Sequence, residues 1–392
     1  MEFKNLKILF LKEKRSNSGI EGIASYLFNV CSELNRLDID YLVLYNDNDQ
    51  FYKKMVENNI KVKLYKFPPN SPKNLFNISQ VKKAQSDIFD IVQKEQITHI
   101  NVHFPYLLQF VKKEWKIPII VHWHGAFEKN KPLKYFYGKD LLSPRAILNS
   151  IYRKAKLFNF KKTDLVVCAG EAAKNTAMIT FGVKEENISL NMYGAPQKDI
   201  SKIKDIKREL GFNDENKIII SVGRETKAKG VEDFCEVAKQ LSDYNYKFLF
   251  LGGYRDKQYH DKLVEKYGTY VQFLGMKTNI DEYYKLADLM LFLSHREAGG
   301  MVLFESMHFG LPMIVWDTVG VNELVENDYN GYCCPMQDID YVANKVRKIL
   351  EDQNLSSNLS KNSFEAYLKK YNFKNHVERL LNSFQKLGEK NA

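Results

Sequence analysis

The sequence has few cysteines and no long hydrophobic run. Its five cysteines are odd in number and show no Cys-x-x-Cys spacing, so neither a disulfide framework nor a zinc site is indicated. No apolar stretch reaches the roughly 18–20 residues that a membrane-spanning helix needs. The basic start of the chain leads into an apolar run of only four residues, 8–11, whereas a secretory signal needs about seven or more. We therefore expect a cytoplasmic protein.

The length and composition are those of a globular chain with room for two domains. At 392 residues the chain exceeds the roughly 250–300 residues at which a single hydrophobic core stops growing. Its contents of 44% hydrophobic and 27% charged residues are typical of globular proteins.

The positive charge is concentrated in the first half of the chain. Residues 1–200 carry 31 Lys and Arg against 20 Asp and Glu, and the segment 112–162 alone carries 13 against 3. A basic segment rich in aromatic residues suits an anionic membrane or another polyanion. Equally, the lysines could solvate helix faces while the aromatic rings fill the core. The aromatic residues of this segment are Trp115, Trp123, Phe127, Tyr135, Phe136, Tyr137, Tyr152, Phe158 and Phe160.

The N-terminal pattern is that of a strand, a glycine turn and a helix. Leu6–Leu11 predicts a first buried strand, Gly19 and Gly22 follow in a turn, and Ile23–Arg36 has helical apolar spacing. This order is typical of a Rossmann-like unit. Because Gly19-x-x-Gly22 lacks the full Gly-x-Gly-x-x-Gly fingerprint, it gives little support to NAD binding.

Further apolar runs alternate with helical segments such as Ile78–Lys94 and predict a parallel sheet. Ligands of such sheets bind beyond the carboxyl ends of the strands. For His103 and His122 a structural and a functional role are equally open, whereas His124, directly before Gly125, is the functional candidate. The predicted strands are Tyr41–Tyr45, Ile60–Leu64, Ile97–Val102, Ile117–His122, Leu165–Cys168 and Ile188–Gly194, and the predicted ligand-facing residues are His103, His122, His124, Gly125, Gly170 and Glu171.

A polar linker, 195–206, separates this half from a second one. The pattern then predicts a helix at Lys207–Leu210, a strand at Lys217–Val222 and a helix at Val231–Leu241, with further strands at Phe248–Gly252 and Val271–Gly275. Arg224 and Lys229, in the loop after Lys217–Val222, could neutralise a diphosphate. The alternative is that they are two solvated loop cations.

Two glutamates stand eight positions apart around a pair of glycines. Leu286–Ser294 predicts a buried strand and Met301–Phe309 a helix, so Gly299 and Gly300 fall at the turn between them. Backbone N–H groups at such a helix start can bind an anion. Glu297 on the turn would face the ligand beside this anion site, and Glu305 in the helix could accept hydrogen bonds from vicinal sugar hydroxyls. The alternative is that both are solvated side chains that complement the helix dipole.

The surrounding motifs resemble those of the retaining glycosyltransferases of family 4. The similarity rests on Glu297-x7-Glu305, the Gly-x-Pro at 310–312, the Gly-x-x-Glu at 320–323, the Val-Gly-Arg at 222–224 with Lys229-Gly230, and His124-Gly125. One departure is Gly299, where the family more often has an aromatic residue. The resemblance implies a GT-B fold, in which two Rossmann-like parallel-sheet α/β domains face each other across a cleft. It implies an acceptor-binding domain at 1–195, a donor-binding domain at 206–370 and a terminal helix at 371–392 that crosses back to the first domain.

The resemblance also implies roles for individual residues. His124 would contact the donor sugar or its phosphate, Arg224 and Lys229 would hold the diphosphate, and Glu297 would hold the sugar hydroxyls. Glu305 would hold the ribose. The remaining donor-binding residues implied are Gly19, Gly22, Gly223, Gly275, Met276, Lys277, Gly299, Gly300 and Met301. The mechanism requires no metal and no cofactor, and UDP is favoured over GDP as the nucleotide of the donor.

The predicted function is retaining transfer of a hexosyl-type group from a nucleoside-diphosphate sugar to a glycan or lipid-linked acceptor, in bacterial surface polysaccharide or glycoconjugate biosynthesis. The basic segment favours a peripheral place on the inner face of the cell membrane, and nucleic acid is not an expected partner. Two alternatives remain open. One is a sugar-nucleotide epimerase or phosphorylase on the same fold, and the other is a non-catalytic basic protein that binds membranes or nucleic acids.

Overall fold

The chain folds into two compact units, Met1–Met192 with Val377–Ala392, and Tyr193–His376. The computed structural model describes residues 3, 5–14, 22–69, 78–125, 159–295, 297 and 299–391. Each unit contains a parallel sheet and its own hydrophobic core.

The described part of the first unit contains a sheet of seven parallel strands in the order β3-β2-β1-β4-β5-β6-β7. Most residues of its central strands are buried, which explains why two of these strands, Lys7–Lys12 and Ile119–Trp123, are largely apolar rather than alternating. The strand His99–Val102 is also buried but contains the polar residues His99 and Asn101. The strands are β1 Lys7–Lys12, β2 Asp40–Tyr45, β3 Val62–Leu64, β4 His99–Val102, β5 Ile119–Trp123, β6 Leu165–Cys168 and β7 Ile188–Leu190.

Amphipathic helices connect these strands. The helices described in the first unit are α1 Gly22–Arg36, α2 Gln50–Glu57, α3 Ile78–Lys94 and α4 Glu171–Phe181. The carboxylate of Asp49 accepts hydrogen bonds from Phe51 N and Tyr52 N and so caps α2.

The second unit repeats the arrangement with six parallel strands in the order β10-β9-β8-β11-β12-β13. The predicted fold class, two parallel-sheet α/β domains, is therefore confirmed. The strands are β8 Lys217–Val222, β9 Tyr246–Leu251, β10 Val271–Gly275, β11 Leu289–Phe292, β12 Met313–Trp316 and β13 Gly331–Cys334. The helices are α5 Val231–Gln240, α6 Lys257–Tyr267, α7 Ile280–Leu286, α8 Met301–His308, α9 Ile339–Glu351 and α10 Gln353–Ala366.

A final helix, α11, runs from Phe373 to Asn391 after a π-helical turn at Tyr367–Tyr371. From Val377 onward its residues belong to the first unit. There His99 Nε2 lies 3.0 Å from the carbonyl oxygen of Phe384, and Arg379 Nε donates to Asn191 Oδ1 at 3.1 Å.

Two local predictions are wrong. Lys207–Leu210 is a hydrogen-bonded turn rather than a helix, because four residues cannot offset the cost of helix nucleation and Gly211 follows at φ +76°. The predicted strand Leu286–Ser294 is shortened to β11, because α7 continues to Leu286 and the carboxylate of Asp288 accepts a hydrogen bond from Ile218 N at 2.8 Å.

Candidate functional site

In the second unit, the glycine pair lies between β11 and α8, where the sequence predicts it. Gly300 precedes the helix with φ +38°, and a Cβ atom there would lie 3.1 Å from the side chain of Leu303. The left-handed conformation favours glycine at this position. The turn places the backbone of Gly299, Gly300 and Met301 at the start of α8, where N–H groups have no intrahelical acceptors.

The loop after β8 packs closely against the end of β11 and is hydrogen-bonded to it. Gly230 has φ +62°, and a Cβ atom on it would lie 1.8 Å from the carbonyl oxygen of Leu293, so only glycine fits. His295 N donates to Ala228 O at 3.0 Å, and the Ser294 hydroxyl donates to the same oxygen at 3.2 Å. Two loops that are distant in sequence are thereby held side by side.

This arrangement brings Lys229 and Glu297 together as an ion pair. The two side chains are 22% and 17% exposed, so the pair is largely removed from solvent. Lys229 Nζ also lies 5.6 Å from the ring centroid of Phe292. The sequence marked both residues as site candidates, but it did not pair them.

A second pairing supports the same turn. The carboxylate of Asp233 in α5 contacts His295 Nε2 at 2.5 Å and accepts a hydrogen bond from Trp316 Nε1 at 2.9 Å. His295, which leads into the Glu297 turn, is thus held to α5 directly and to β12 through Asp233. Sequence reasoning missed Asp233 because an acidic residue in a first helical turn is ordinary.

Arg224 lies in the same loop as Lys229 but has a different environment. It follows β8 directly after Gly223 and is exposed. Within the part of the chain that the structure describes, its guanidinium makes no hydrogen bond or ion pair. Arg224 is therefore a cation whose five N–H donors can serve a ligand, in the bidentate geometry that suits phosphate.

Glu305 lies on the second turn of α8 and is only partly exposed. Its Oε2 accepts a hydrogen bond of 2.8 Å from the hydroxyl of Tyr284. Burial raises the pKa of the Glu305 carboxyl, while the Tyr284 hydrogen bond opposes this effect. Tyr284 is fully buried, and nothing in its local sequence indicates that it fixes this carboxylate.

The residues proposed for the nucleobase lie where β10 ends. Gly275 has φ +66°, and its carbonyl oxygen accepts a hydrogen bond of 2.9 Å from Gly252 N at the end of β9. Met276 is 75% exposed, and Lys277 Nζ lies 6.0 Å from the ring centroid of Tyr283. Gly275, Met276 and Lys277 are therefore at the same carboxyl edge of the sheet as Arg224.

Sequence reasoning missed a buried acid at this edge, Glu225. Its side chain is fully buried, and Oε2 lies 2.6 Å from His260 Nδ1. The His260 ring stacks on Tyr254 with a centroid distance of 4.1 Å. Glu225 N donates to Gly253 O at 3.1 Å, so both the backbone and the side chain of Glu225 fix the loop that carries Arg224.

In the first unit, the three predicted histidines lie together at the ends of β4 and β5. The ring planes of His103, His122 and His124 are nearly parallel, with interplanar angles of 11–17° and centroid distances of 5.2–5.3 Å. His103 Nδ1 lies 3.0 Å from His124 Nε2, and the Tyr26 hydroxyl lies 3.0 Å from His122 Nε2. Asn101 Nδ2 lies 3.3 Å from His122 Nδ1.

His103 and His122 are buried, whereas His124 is partly exposed. Burial lowers the pKa of His103 well below its usual value, and the charges of His124 and Lys12 lower it further. Lys12 is itself buried, with Nζ 4.9 Å from the ring centroid of Phe104. Of the three histidines, His124 is thus the one that a ligand can reach most readily.

The other predicted residues of this unit give less information. Gly170 precedes α4, and Glu171 is the exposed first residue of that helix. Gly22 begins α1, and a Cβ atom there would meet nothing within 4 Å. Gly19 lies outside the described residues, so its predicted role is untested.

The geometry offers no metal centre in the part of the chain that is described. Within the described ranges, no group of three His, Cys, Asp or Glu side chains is placed to hold a metal ion. The Asp-x-Asp triplets at 38–40, 47–49 and 338–340 lie at strand and helix starts, where Asp49 and Asp338 act as helix caps.

The basic segment 112–162 is described only at 112–125 and 159–162. In these parts Trp123 and Phe160 belong to the buried core, and Trp115 packs partly buried against Phe89 at a centroid distance of 5.3 Å. These three rings therefore serve the core. Tyr135, Phe136 and Tyr137 lie outside the described residues. Among the helices described, none combines the length and the apolar character needed to cross a bilayer.

Comparison with family models gives two matches that together extend over most of the chain. Residues 20–190 match the model described as Glycosyltransferase Family 4, and residues 202–366 match the model described as Glycosyl transferases group 1.

Relatives of known activity are similar over most of their length. The N-acetyl-alpha-D-glucosaminyl L-malate synthase of Bacillus anthracis is 26% identical over 73% of this chain and 74% of its own. The N,N'-diacetylbacillosaminyl-diphospho-undecaprenol alpha-1,3-N-acetylgalactosaminyltransferase of Campylobacter jejuni is 25% identical over 82% of this chain and 84% of its own. A crystal structure of Anabaena HepE in complex with UDP and glucose superposes with a TM-score of 0.76 at 18% identity, covering 97% of this chain and all of that one.

Proposed function

We propose that this chain, which belongs to the GT-B glycosyltransferases of family 4, moves a hexosyl-type group from a nucleoside-diphosphate sugar to a glycan or lipid-linked acceptor. The configuration at the anomeric carbon would be retained. The observation that carries the proposal is the Lys229–Glu297 pair, held beside the glycine turn of α8.

Arg224 and Lys229 supply the positive charge for the leaving group. When the bond between the sugar C1 and the diphosphate oxygen breaks, negative charge develops on the diphosphate. Arg224, Lys229 and the N–H groups near Gly299–Met301 would stabilise that charge, and stabilisation of this kind is often the largest catalytic term. The acceptor oxygen forms its bond to C1 on the same face, and its proton passes to the departing diphosphate. All atoms are then accounted for without a metal.

Glu297 and Glu305 would hold two different parts of the donor. Glu297 lies on the turn, where it can accept hydrogen bonds from the sugar hydroxyls while Lys229 keeps its carboxylate in place. Glu305 would accept hydrogen bonds from the ribose hydroxyls, with Tyr284 fixing its orientation. The backbone at Gly275, together with Met276 and Lys277, would contact the base, and UDP is the nucleotide that we propose.

A lipid-linked acceptor is supported by one relative. The Campylobacter jejuni enzyme is named for an acceptor linked to undecaprenol diphosphate. We infer an acceptor of this kind for the present chain, in bacterial surface polysaccharide or glycoconjugate biosynthesis. The excess of basic over acidic residues in segment 112–162 would favour a peripheral position on the inner face of the membrane.

The test is a screen of nucleotide-sugars with and without acceptors. A ligand at 100 times its dissociation constant adds about 2.7 kcal/mol to the free energy of unfolding, so UDP and GDP can first be compared by thermal stabilisation. Product that forms only when an acceptor is present supports a transferase. An altered nucleotide-sugar without an acceptor would indicate an epimerase, and a phosphate-dependent product a phosphorylase. No stabilisation by either nucleotide would contradict the proposal.

A further inference from the structure

The histidine cluster of the first unit contains a hydrogen bond whose direction matters. A neutral imidazole has one N–H group and one lone pair. The contact of 3.0 Å between His103 Nδ1 and His124 Nε2 therefore holds one hydrogen, which comes from one ring or the other. The ring that supplies it also decides which nitrogen of His124 carries a hydrogen.

The surroundings of His103 decide the direction. The residue is only 1% exposed, and its Nε2 atom is buried without a hydrogen-bond partner. Burial and the positive charge of Lys12 both disfavour the protonated ring, so His103 carries a single hydrogen. A hydrogen on Nε2 would leave a buried N–H group without an acceptor, which folded proteins rarely contain. A hydrogen on Nδ1 is used in the contact with His124 and leaves only a lone pair unpaired.

We propose that His103 is a positioning residue whose Nδ1–H donates to His124 Nε2 and thereby holds neutral His124 in the tautomer with its hydrogen on Nδ1. The Nδ1 atom of His124 then carries a hydrogen rather than a lone pair. Such a donor suits an oxygen ligand, either a sugar hydroxyl or a phosphate oxygen, and does not suit a general base acting at that atom. The consequence for the donor sugar rests on the proposed function, whereas the tautomer does not.

Neighbouring His122 has the opposite tautomer to His124. The amide nitrogen of Asn101 can only donate, so His122 Nδ1 accepts from it at 3.3 Å. The hydrogen of His122 is then on Nε2, where it faces the hydroxyl oxygen of Tyr26 at 3.0 Å. Two histidines separated by one residue therefore carry opposite tautomers, and each serves as an internal control for the other.

Long-range ¹H–¹⁵N NMR of the full chain, labelled with ¹⁵N only in histidine, tests this assignment without any ligand. The chain has eight histidines, and His122→Gln and His124→Gln would each remove one signal set and so assign it. At a pH where the rings are neutral, we expect the hydrogen of His124 on Nδ1 and that of His122 on Nε2. A hydrogen on Nε2 of His124 would overturn the proposal.

Two variants of His103 distinguish the effect of its hydrogen-bond donor from the effect of the space that it fills. The amide of His103→Asn can donate from nearly the position of Nδ1, whereas His103→Leu fills the site without a donor. We expect His124 to keep its hydrogen on Nδ1 in the Asn variant and to populate both tautomers in the Leu variant. An unchanged His124 spectrum in a folded Leu variant would refute the positioning role. If the Leu variant does not fold, the Asn variant decides, since loss of the Nδ1 hydrogen there contradicts the proposal.

Failure of the tautomer assignment can be distinguished from failure of the proposed function. A His124→Ala variant with full transferase activity would contradict the role of His124 in catalysis and leave the tautomer assignment standing. Conversely, a His124 hydrogen on Nε2 in an active enzyme would remove only the role of His103.

Discussion

The contribution of the Lys229–Glu297 ion pair to stability can be measured separately from its contribution to turnover. Three variants serve this purpose: Lys229→Met, Glu297→Gln and the double variant. Met and Gln keep much of the length of the original side chains and remove their charges. Each single variant removes one charge of the pair, whereas the double variant removes both.

The exposure of the two side chains sets the expected magnitude. Exposed ion pairs contribute about 0–1 kcal/mol, and breaking a fully buried pair costs about 3–5 kcal/mol. At 22% and 17% exposure, we expect each single variant to lose about 1–2 kcal/mol in the free energy of unfolding. The double variant should lose less than the sum, with a coupling of about 1 kcal/mol.

Thermal denaturation and turnover, measured on the same four proteins, test this reasoning. A loss of 1 kcal/mol lowers the Tm of a domain of 150–250 residues by about 2–4 °C. Turnover should fall roughly 10²-fold in Lys229→Met. The double variant should lose less Tm than the two single variants together, but its turnover should stay as low as that of Lys229→Met, because the cation is still missing. Strictly additive losses of Tm, or full activity in the double variant, would refute the account of this pair.

Further predictions concern the other site residues and the basic segment. Arg224→Ala should lower turnover roughly 10²-fold, and Arg224→Lys should restore it only in part, because an ammonium group cannot reproduce the bidentate geometry; wild-type kinetics in both would place the diphosphate elsewhere. Glu305→Ala should weaken UDP binding in calorimetry while Glu297→Ala mainly lowers turnover, and near-wild-type behaviour of both would contradict the two-carboxylate assignment. The pKa of the Glu305 carboxyl is raised above its ordinary value of 4.5 in the folded state, so its protonated form stabilises the fold below pH 4.5, and this stabilisation is lost as the pH rises through the raised pKa. Urea titrations from pH 4 upward should therefore show the wild type losing stability relative to Glu305→Gln. Parallel curves of stability against pH for the two proteins would contradict this. Sedimentation with vesicles should rise with anionic lipid and fall with salt if segment 112–162 binds membranes, and equal recovery in the supernatant under all conditions would exclude that role.

The sequence predicted the fold well because its strongest signals were local. Buried parallel strands require continuous apolar runs, and such runs occur at β1, β5, β8 and β12. Glycines with positive φ, such as Gly230 and Gly300, mark turns whose geometry admits little else. Signals of this kind depend on neighbouring residues, so they can be recognised without knowing the tertiary structure.

The pairings inside the site could not be predicted in the same way. Lys229 and Glu297 are 68 positions apart, and Glu225 and His260 are 35 apart. Nothing in either partner's local sequence identifies the other, because the pairing depends on the order of strands in the sheet. Glu225 resembles an ordinary charged loop residue until its burial is known.

Aromatic residues in a basic segment also proved ambiguous without the structure. Trp115, Trp123 and Phe160 pack against the core, although the sequence allowed a membrane-facing role for all of them. Composition does not tell which way a side chain points, and burial of these rings depends on contacts with Phe89 and Phe181, which lie outside the segment.

The stereochemistry of the first product is the most direct test of the central claim. An α-linked nucleotide-sugar that supports transfer in the screen can be followed with its acceptor by ¹H NMR, in which the coupling of the anomeric proton reports the configuration at C1 of the glycosidic product. Retention predicts an α-linked product and release of the nucleoside diphosphate in equal amount. A β-linked product would contradict the same-face transfer that Arg224, Lys229 and the α8 turn are proposed to support.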